Sequence, residues 1–227
     1  MGLFNICSDT WEKAILTLLG TFIGATLAFG SQLYLHRRQE RKAELVSAHR
    51  ILFCLLQQTN ALVLFQNDFV APHRNSPAPF MEIPAAMEFD LSKNQFDFSS
   101  FNFLLKSKEG RQVMYDLYLA QESYVEALRA INERSRMHRE ELQPKLFEAG
   151  FKNNELTTDA ELARRLGPLV LGSMTSLTAQ VLEIVPSTFR KLVVAKIAFR
   201  EFAVKYFRTN EFTEFEFPET YGMEFKK

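Results

Sequence analysis

Residues 14–35 read AILTLLGTFIGATLAFGSQLYL, a stretch without a single charge, and the basic run HRRQERK follows at 36–42. At 1.5 Å per residue the stretch makes about 33 Å of helix, enough to cross the hydrocarbon core of a bilayer. It is apolar on every face rather than along one stripe, as a helix surrounded by lipid needs to be. A cleaved leader would begin basic and end at a small-residue site. Here Asp9 and Glu12 outweigh Lys13, and charge follows the apolar run at once. The reading is a transmembrane helix over 14–35, preceded by a short extracytoplasmic N-terminus, residues 1–13.

Flanking charge predicts which way it points. Only Lys13 stands before the helix, whereas Arg37, Arg38, Arg41 and Lys42 stand after it. Basic residues stay on the cytoplasmic side, so the remainder of the chain is expected in the cytoplasm, anchored in the inner (plasma) membrane. Trp11 and Tyr34 lie near the two ends, where amphipathic aromatics favour the interface. The same basic cluster would be attracted to anionic lipid headgroups, at about 1 kcal/mol per Lys or Arg.

Within the anchor, Gly20, Gly24 and Ala28 stand four apart, with Thr17 and Thr21 beside them. Small residues let two helix backbones approach closely, which is what packing in lipid depends on. These positions are the candidate helix-association site, and they predict a homo-oligomer.

The rest of the chain reads as helical. Residues 36–70 contain neither Gly nor Pro, and Leu45, Leu52, Leu55, Leu56, Leu62 and Phe69 recur at helical intervals. The helix should run on to about Phe69, where Pro72 stops it. Pro72, Pro77, Pro79 and Pro84 then make 71–99 an extended loop, a candidate contact surface for a protein partner. Phe80, Met81, Ile83, Met87 and Phe89 predict that it packs onto something. FDFSSFNFLL at 96–105 reads as a hydrophobic plug, with Ser99 or Ser100 capping a short helix.

Residues 111–143 carry the clearest periodicity of the soluble part. Met114, Leu117, Gln121, Tyr124, Leu128, Ile131, Ser135, His138 and Leu142 alternate steps of three and four, the seam of a coiled-coil-like helix. Gln121, Ser135 and His138 make that seam wet. Pro144 should kink or end the helix. Thr158 and Glu161 form a capping box, and Gly167-Pro168 interrupts the helix they begin. Residues 169–185 resume as a bundle helix too polar to insert readily in a membrane. Pro186 should kink or break it, with Ser187 capping a final helix through Tyr206. The acidic aromatic tail 211–227 is expected to be irregular.

The fold prediction is thus all-α: one N-terminal transmembrane helix continuing into an elongated cytoplasmic bundle of three or four helices, residues 36–210. Chemistry is hard to find. The histidines, His36, His49, His73 and His138, lack partners at metal-ligand spacing. No P-loop, G-x-G-x-x-G or G-x-S-x-G is present. The run RSRMHREE at 134–141 reads as a solvated helix face, and Tyr124 with Arg129 could face a polar pocket. With 27 basic and 27 acidic residues, bulk charge gives nucleic-acid binding no support. Cys7 and Cys54 fall on opposite sides of the expected membrane and should not pair within a chain.

The expected function is therefore non-enzymatic, with no cofactor: a self-associating membrane-anchored interaction protein, either a scaffold or an effector. The effector form would perturb the membrane when its cytoplasmic domains reassemble, as small membrane proteins of bacterial antiviral defence can. The alternative is a sensory or ligand-binding helical module whose small-molecule site lies at the wet end of the seam.

Overall fold

The computed structural model describes residues 3–151 and 158–212. The tail from residue 213, and the side chain of Cys7, lie outside the described residues. The described residues are predominantly helical, with no strand among them. Two compact units divide the chain between Ser47 and Ala48.

The first unit consists of the beginning of helix α1 (Leu3–Phe65). Its apolar side chains point outward: Leu16, Leu18, Phe22 and Leu27 are each more than two-thirds exposed. By length and composition this helix can cross a membrane, and none of its apolar window is buried.

The second unit holds the core. The last turns of α1 bury Ala48, Ile51, Leu52, Leu55, Leu62 and Phe65. The helix then widens into a π-helical turn, Gln66–Val70, and closes in a 3-10 turn, Ala71–His73, that accommodates Pro72. The Pro-rich loop contains one short helix, α2 (Pro79–Glu82). Two 3-10 segments, Phe98–Ser100 and Asn102–Lys106, follow. The cap of the first is Asp97, whose carboxylate accepts the Ser99 N–H, and not Ser99 or Ser100 as expected. Asp has the better acceptor for that role. Phe96, Phe101, Phe103 and Leu104 of the plug are buried.

Helix α3 (Lys108–Met137) starts at Ser107, whose hydroxyl accepts the Gly110 N–H at 2.9 Å. A π-helical turn, His138–Leu142, separates it from α4 (Gln143–Glu148). The expected break at Pro144 is therefore taken up one turn early, since Pro144 at the start of α4 has no N–H to satisfy. Helix α5 (Asp159–Leu166) is capped by Thr158 as the sequence indicates. Gly167, at φ +82°, makes the corner into α6 (Pro168–Phe207).

Pro186 does not end that helix. The chain stays helical through it, so Ser187 is not a cap; its hydroxyl donates to the Ile184 carbonyl at 3.0 Å. Buried Val181, Val185, Phe189 and Leu192 on either side supply packing that offsets the one missing backbone bond.

Helices α3 and α6 pack antiparallel, with Arg134 meeting Thr178, Ser123 meeting Thr188, and Glu109 meeting Lys205. The end of α1 lies along α3 in the same direction: Gln58 meets Gln121, and Phe65 meets Phe89, which Asn132 of α3 holds. An aromatic cluster of Phe103, Phe202, Tyr206, Phe207 and Phe212 closes the other end of the bundle.

Candidate functional site

Two features stand out. The first is the exposed surface of α1. Thr17 donates its hydroxyl to the Lys13 carbonyl at 2.8 Å, and Thr21 to the Thr17 and Leu18 carbonyls at 3.0 and 2.9 Å. Thr26 and Ser31 bond back to Phe22 and Ala28 in the same way. The Thr17, Thr21, Thr26 and Ser31 hydroxyls thus spend their donors on the helix itself, which removes the cost of placing them in hydrocarbon. A Cβ added at Gly20 or Gly24 would meet nothing within 4 Å, so this face is open. Ala28 is exposed alongside. Arg37, Arg38, Arg41 and Lys42 are exposed on the same helix, and His36 lies 3.3 Å from Glu40.

The second feature is a polar strap between the Pro-rich loop and the far end of α3. Helix side chains grip the loop by its backbone. Arg134 donates Nη1 to the Pro84 carbonyl at 3.1 Å and Nη2 to the carbonyls of Ile83 and Phe80, while its Nε bonds Thr178 of α6 at 3.1 Å. The Ser135 hydroxyl accepts the Ala86 N–H at 3.1 Å. Asn132 holds Phe89 at both ends, accepting its N–H and donating to its carbonyl, each at 2.8 Å. Arg139 donates to the Ala86 carbonyl at 2.7 Å. The His138 ring lies beside the backbone of Met81, which favours its protonated form, though less than burial and the Arg134 charge oppose it.

Arg134 is 1% exposed, and among the described residues no carboxylate pairs with it. Burial pulls its pKa down to about 10, still far above neutrality, so it remains a buried cation held by neutral oxygens. A guanidinium suits this place because its fork of donors can meet several carbonyls at once. His138 is 4% exposed, and its Nδ1 has no hydrogen-bond partner among the described residues. Burial first, and the charges of Arg134 and Arg139 next, hold its pKa below the ordinary histidine value.

A second attachment lies one stretch further along. Asn94 adopts a left-handed conformation, φ 58°, which Asn tolerates better than most residues. Its carbonyl accepts from the Cys54 thiol at 3.0 Å and from Gln58 at 2.6 Å. Gln121 accepts from Gln58 at 2.7 Å and from the Phe96 N–H at 3.2 Å. Burial pushes the Cys54 thiol up to about 12.

The seam from Leu117 to Leu142 is buried at each expected position, Met114 being partly exposed. Its three wet positions, Gln121, Ser135 and His138, all engage the loop of the same chain. The RSRMHREE run is not a uniformly solvated face: Arg134, Ser135 and His138 point inward, while Arg136 sits outside between Glu133 and Glu140 at 2.7 and 2.9 Å. Helical geometry separates these residues by turning every fourth one to the same side. Tyr124 is buried and Arg129 exposed, so they share no pocket. Met87 does not pack; it is 88% exposed. Asn132 and Arg134 escaped the sequence reading because their partners are backbone carbonyls and amides, which leave no signature in side-chain identity. Among the described residues no cluster of metal-ligating side chains occurs.

Comparison of the chain with family models, curated proteins and solved structures gives no match.

Proposed function

We propose that this is a non-enzymatic, single-pass membrane-anchored protein that self-associates through its anchor and presents the helical unit in the cytoplasm as a scaffold or membrane effector. The observation that carries the reading is the 14–35 surface: wholly exposed, apolar, its Thr and Ser hydroxyls bonded to their own helix, with Gly20 and Gly24 open on one side. Such a surface is costly in water and suited to lipid. The basic cluster from Arg37 to Lys42 supports the cytoplasmic placement and an attraction to anionic headgroups. The exposed Met87, on a loop whose backbone is pinned from behind, favours that loop as the surface offered to a partner protein.

The ligand-binding alternative rests on Gln121, Ser135 and His138, and those side chains are engaged by the chain's own loop. The membrane-perturbing version of the proposal makes overexpression depolarise cells; unchanged membrane potential at high expression would count against it.

The direct test is Gly24→Leu in the full chain. Leucine is at least as apolar, so insertion should be retained, but the two backbones would be forced apart and much of their mutual dispersion attraction would vanish. The variant should migrate as a smaller species in mild detergent, and Leu27→Ala should not. If both keep the wild-type oligomeric state, the anchor does not assemble the protein.

A further inference from the structure

We propose that the strap is acid-labile: protonation of His138 releases the segment Phe80–Phe89 from α3.

His138 opens the π-helical turn that follows α3, beside the loop backbone at Met81. Nδ1 of the ring is buried and has no hydrogen-bond partner among the described residues. A protonated ring carries a second N–H, and no described acceptor is placed to take it.

Charge works in the same direction. Arg134 lies one turn back and Arg139 next door, and both are cations held on loop carbonyls. A third positive charge among them would be uncompensated. The elements packed against the turn offer no relief: Glu141 of the turn is exposed, and on α5, whose Leu162 and Leu166 pack with Leu142, Glu161 is held by Arg164 and Arg165, each at 2.6 Å. From α6, no charged residue occurs between Pro168 and Leu182. On α3, Glu133 is committed to Arg136, as is Glu140 of the turn itself, and both pairs are on the outer surface. From α4, Lys145 is a further cation, with its Nζ 3.3 Å from the Leu166 carbonyl. On the loop, Glu82 is half exposed and lies 3.6 Å from His73, while Glu88 is exposed.

The ring's pKa is lowered while the strap is closed, and returns to about 6.5 once the loop lets it reach water. The released state therefore binds the proton and the closed state resists it. The strap is at full strength above about pH 6.5 and weakens as pH falls below that value. From the released-state value, the opening equilibrium rises by at most about tenfold between pH 7.5 and pH 5.5, the limit reached when the closed ring takes up no proton in that range. Opening is local, because the seam above it, Leu117 through Ile131, is closed by packing rather than by this ring.

The experiment is hydrogen exchange on the full chain in detergent micelles at pH 7.5 and 5.5, corrected for intrinsic exchange. The Ala86 and Phe89 amides are the reporters, since both bond α3 side chains. Their protection should fall at the lower pH, by up to about tenfold, while the amides of Leu128 and Val185 hold. His138→Gln, which cannot titrate, should show no such dependence. In the same wild-type sample the ring 15N shifts of His138 should remain those of a neutral ring until the reporters open. The proposal is overturned if reporter protection does not change with pH, if His138→Gln keeps the dependence, or if all four amides fall together. It is equally overturned if the ring titrates near pH 6.5 with the reporters still protected. That last measurement decides the matter even if the variant does not fold.

Discussion

Arg134→Met would remove the guanidinium and keep most of the side-chain volume. Three loop carbonyls, of Phe80, Ile83 and Pro84, would lose their donor, as would the Thr178 hydroxyl. Thr178 can turn to a carbonyl of its own helix, so it contributes little. A buried carbonyl without a partner costs about 1–3 kcal/mol, and the Phe80 bond, at 3.4 Å, is the weakest of the three. Against this stands the relief of no longer burying a cation without a counter-charge, which is worth several kcal/mol on its own. The two effects do not cancel, because the carbonyls remain where the loop backbone holds them. With the three carbonyls stranded at about 2 kcal/mol each and about 3 kcal/mol of cation burial relieved, a net loss of about 3 kcal/mol is expected. For a protein of this size that lowers Tm by about 6–12 °C. Arg134→Lys keeps the charge but cannot span the fork, and should lose about half as much. Thermal unfolding of the full chain in detergent, followed by circular dichroism, measures both, and exchange at Ala86 and Phe89 reports the loop. If Arg134→Met melts within about 2 °C of wild type with both amides still protected, the guanidinium does not hold the loop, and the strap must rest on Asn132 and Ser135 alone.

Two further substitutions probe the packing. At Gly110 a Cβ would come 2.2 Å from the Leu104 carbonyl oxygen, which is backbone and cannot swing aside. Gly110→Ala should therefore destabilise by about 1–3 kcal/mol, although alanine favours a helix by about 1 kcal/mol; a rise in Tm would show that the approach is looser than this. Gln58 and Gln121 are both buried and bond each other at 2.7 Å. Leucine at either one leaves polar groups stranded, whereas leucine at both removes the pair, so a double-mutant cycle should give a coupling of about 1 kcal/mol or more. Additivity within about 0.3 kcal/mol would mean that the two amides are independent.

The sequence by itself determined the elements whose signal is local. A stretch without charge from Ala14 to Leu35 can form only a helix that is apolar all round, because the side chains leave no polar face. Steps of three and four put Leu117, Tyr124, Leu128, Ile131 and Leu142 on one side of α3 and its continuation and made them core. Thr158 and Gly167 marked their helix ends because capping hydroxyls and left-handed turns are properties of single residues. Tertiary structure decided what depended on distant chain. Pro186 stayed inside a helix because the side chains around it are buried, and no local rule weighs that. Arg134 and His138 stood in a run of alternating charges that reads as solvated, yet they face a loop 50 residues or more away in the chain. Their partners there are chiefly backbone oxygens, which every residue possesses, so sequence could not name them. Only the path of the loop brought those oxygens to the end of α3 and turned a surface-like run into the fastening of the fold.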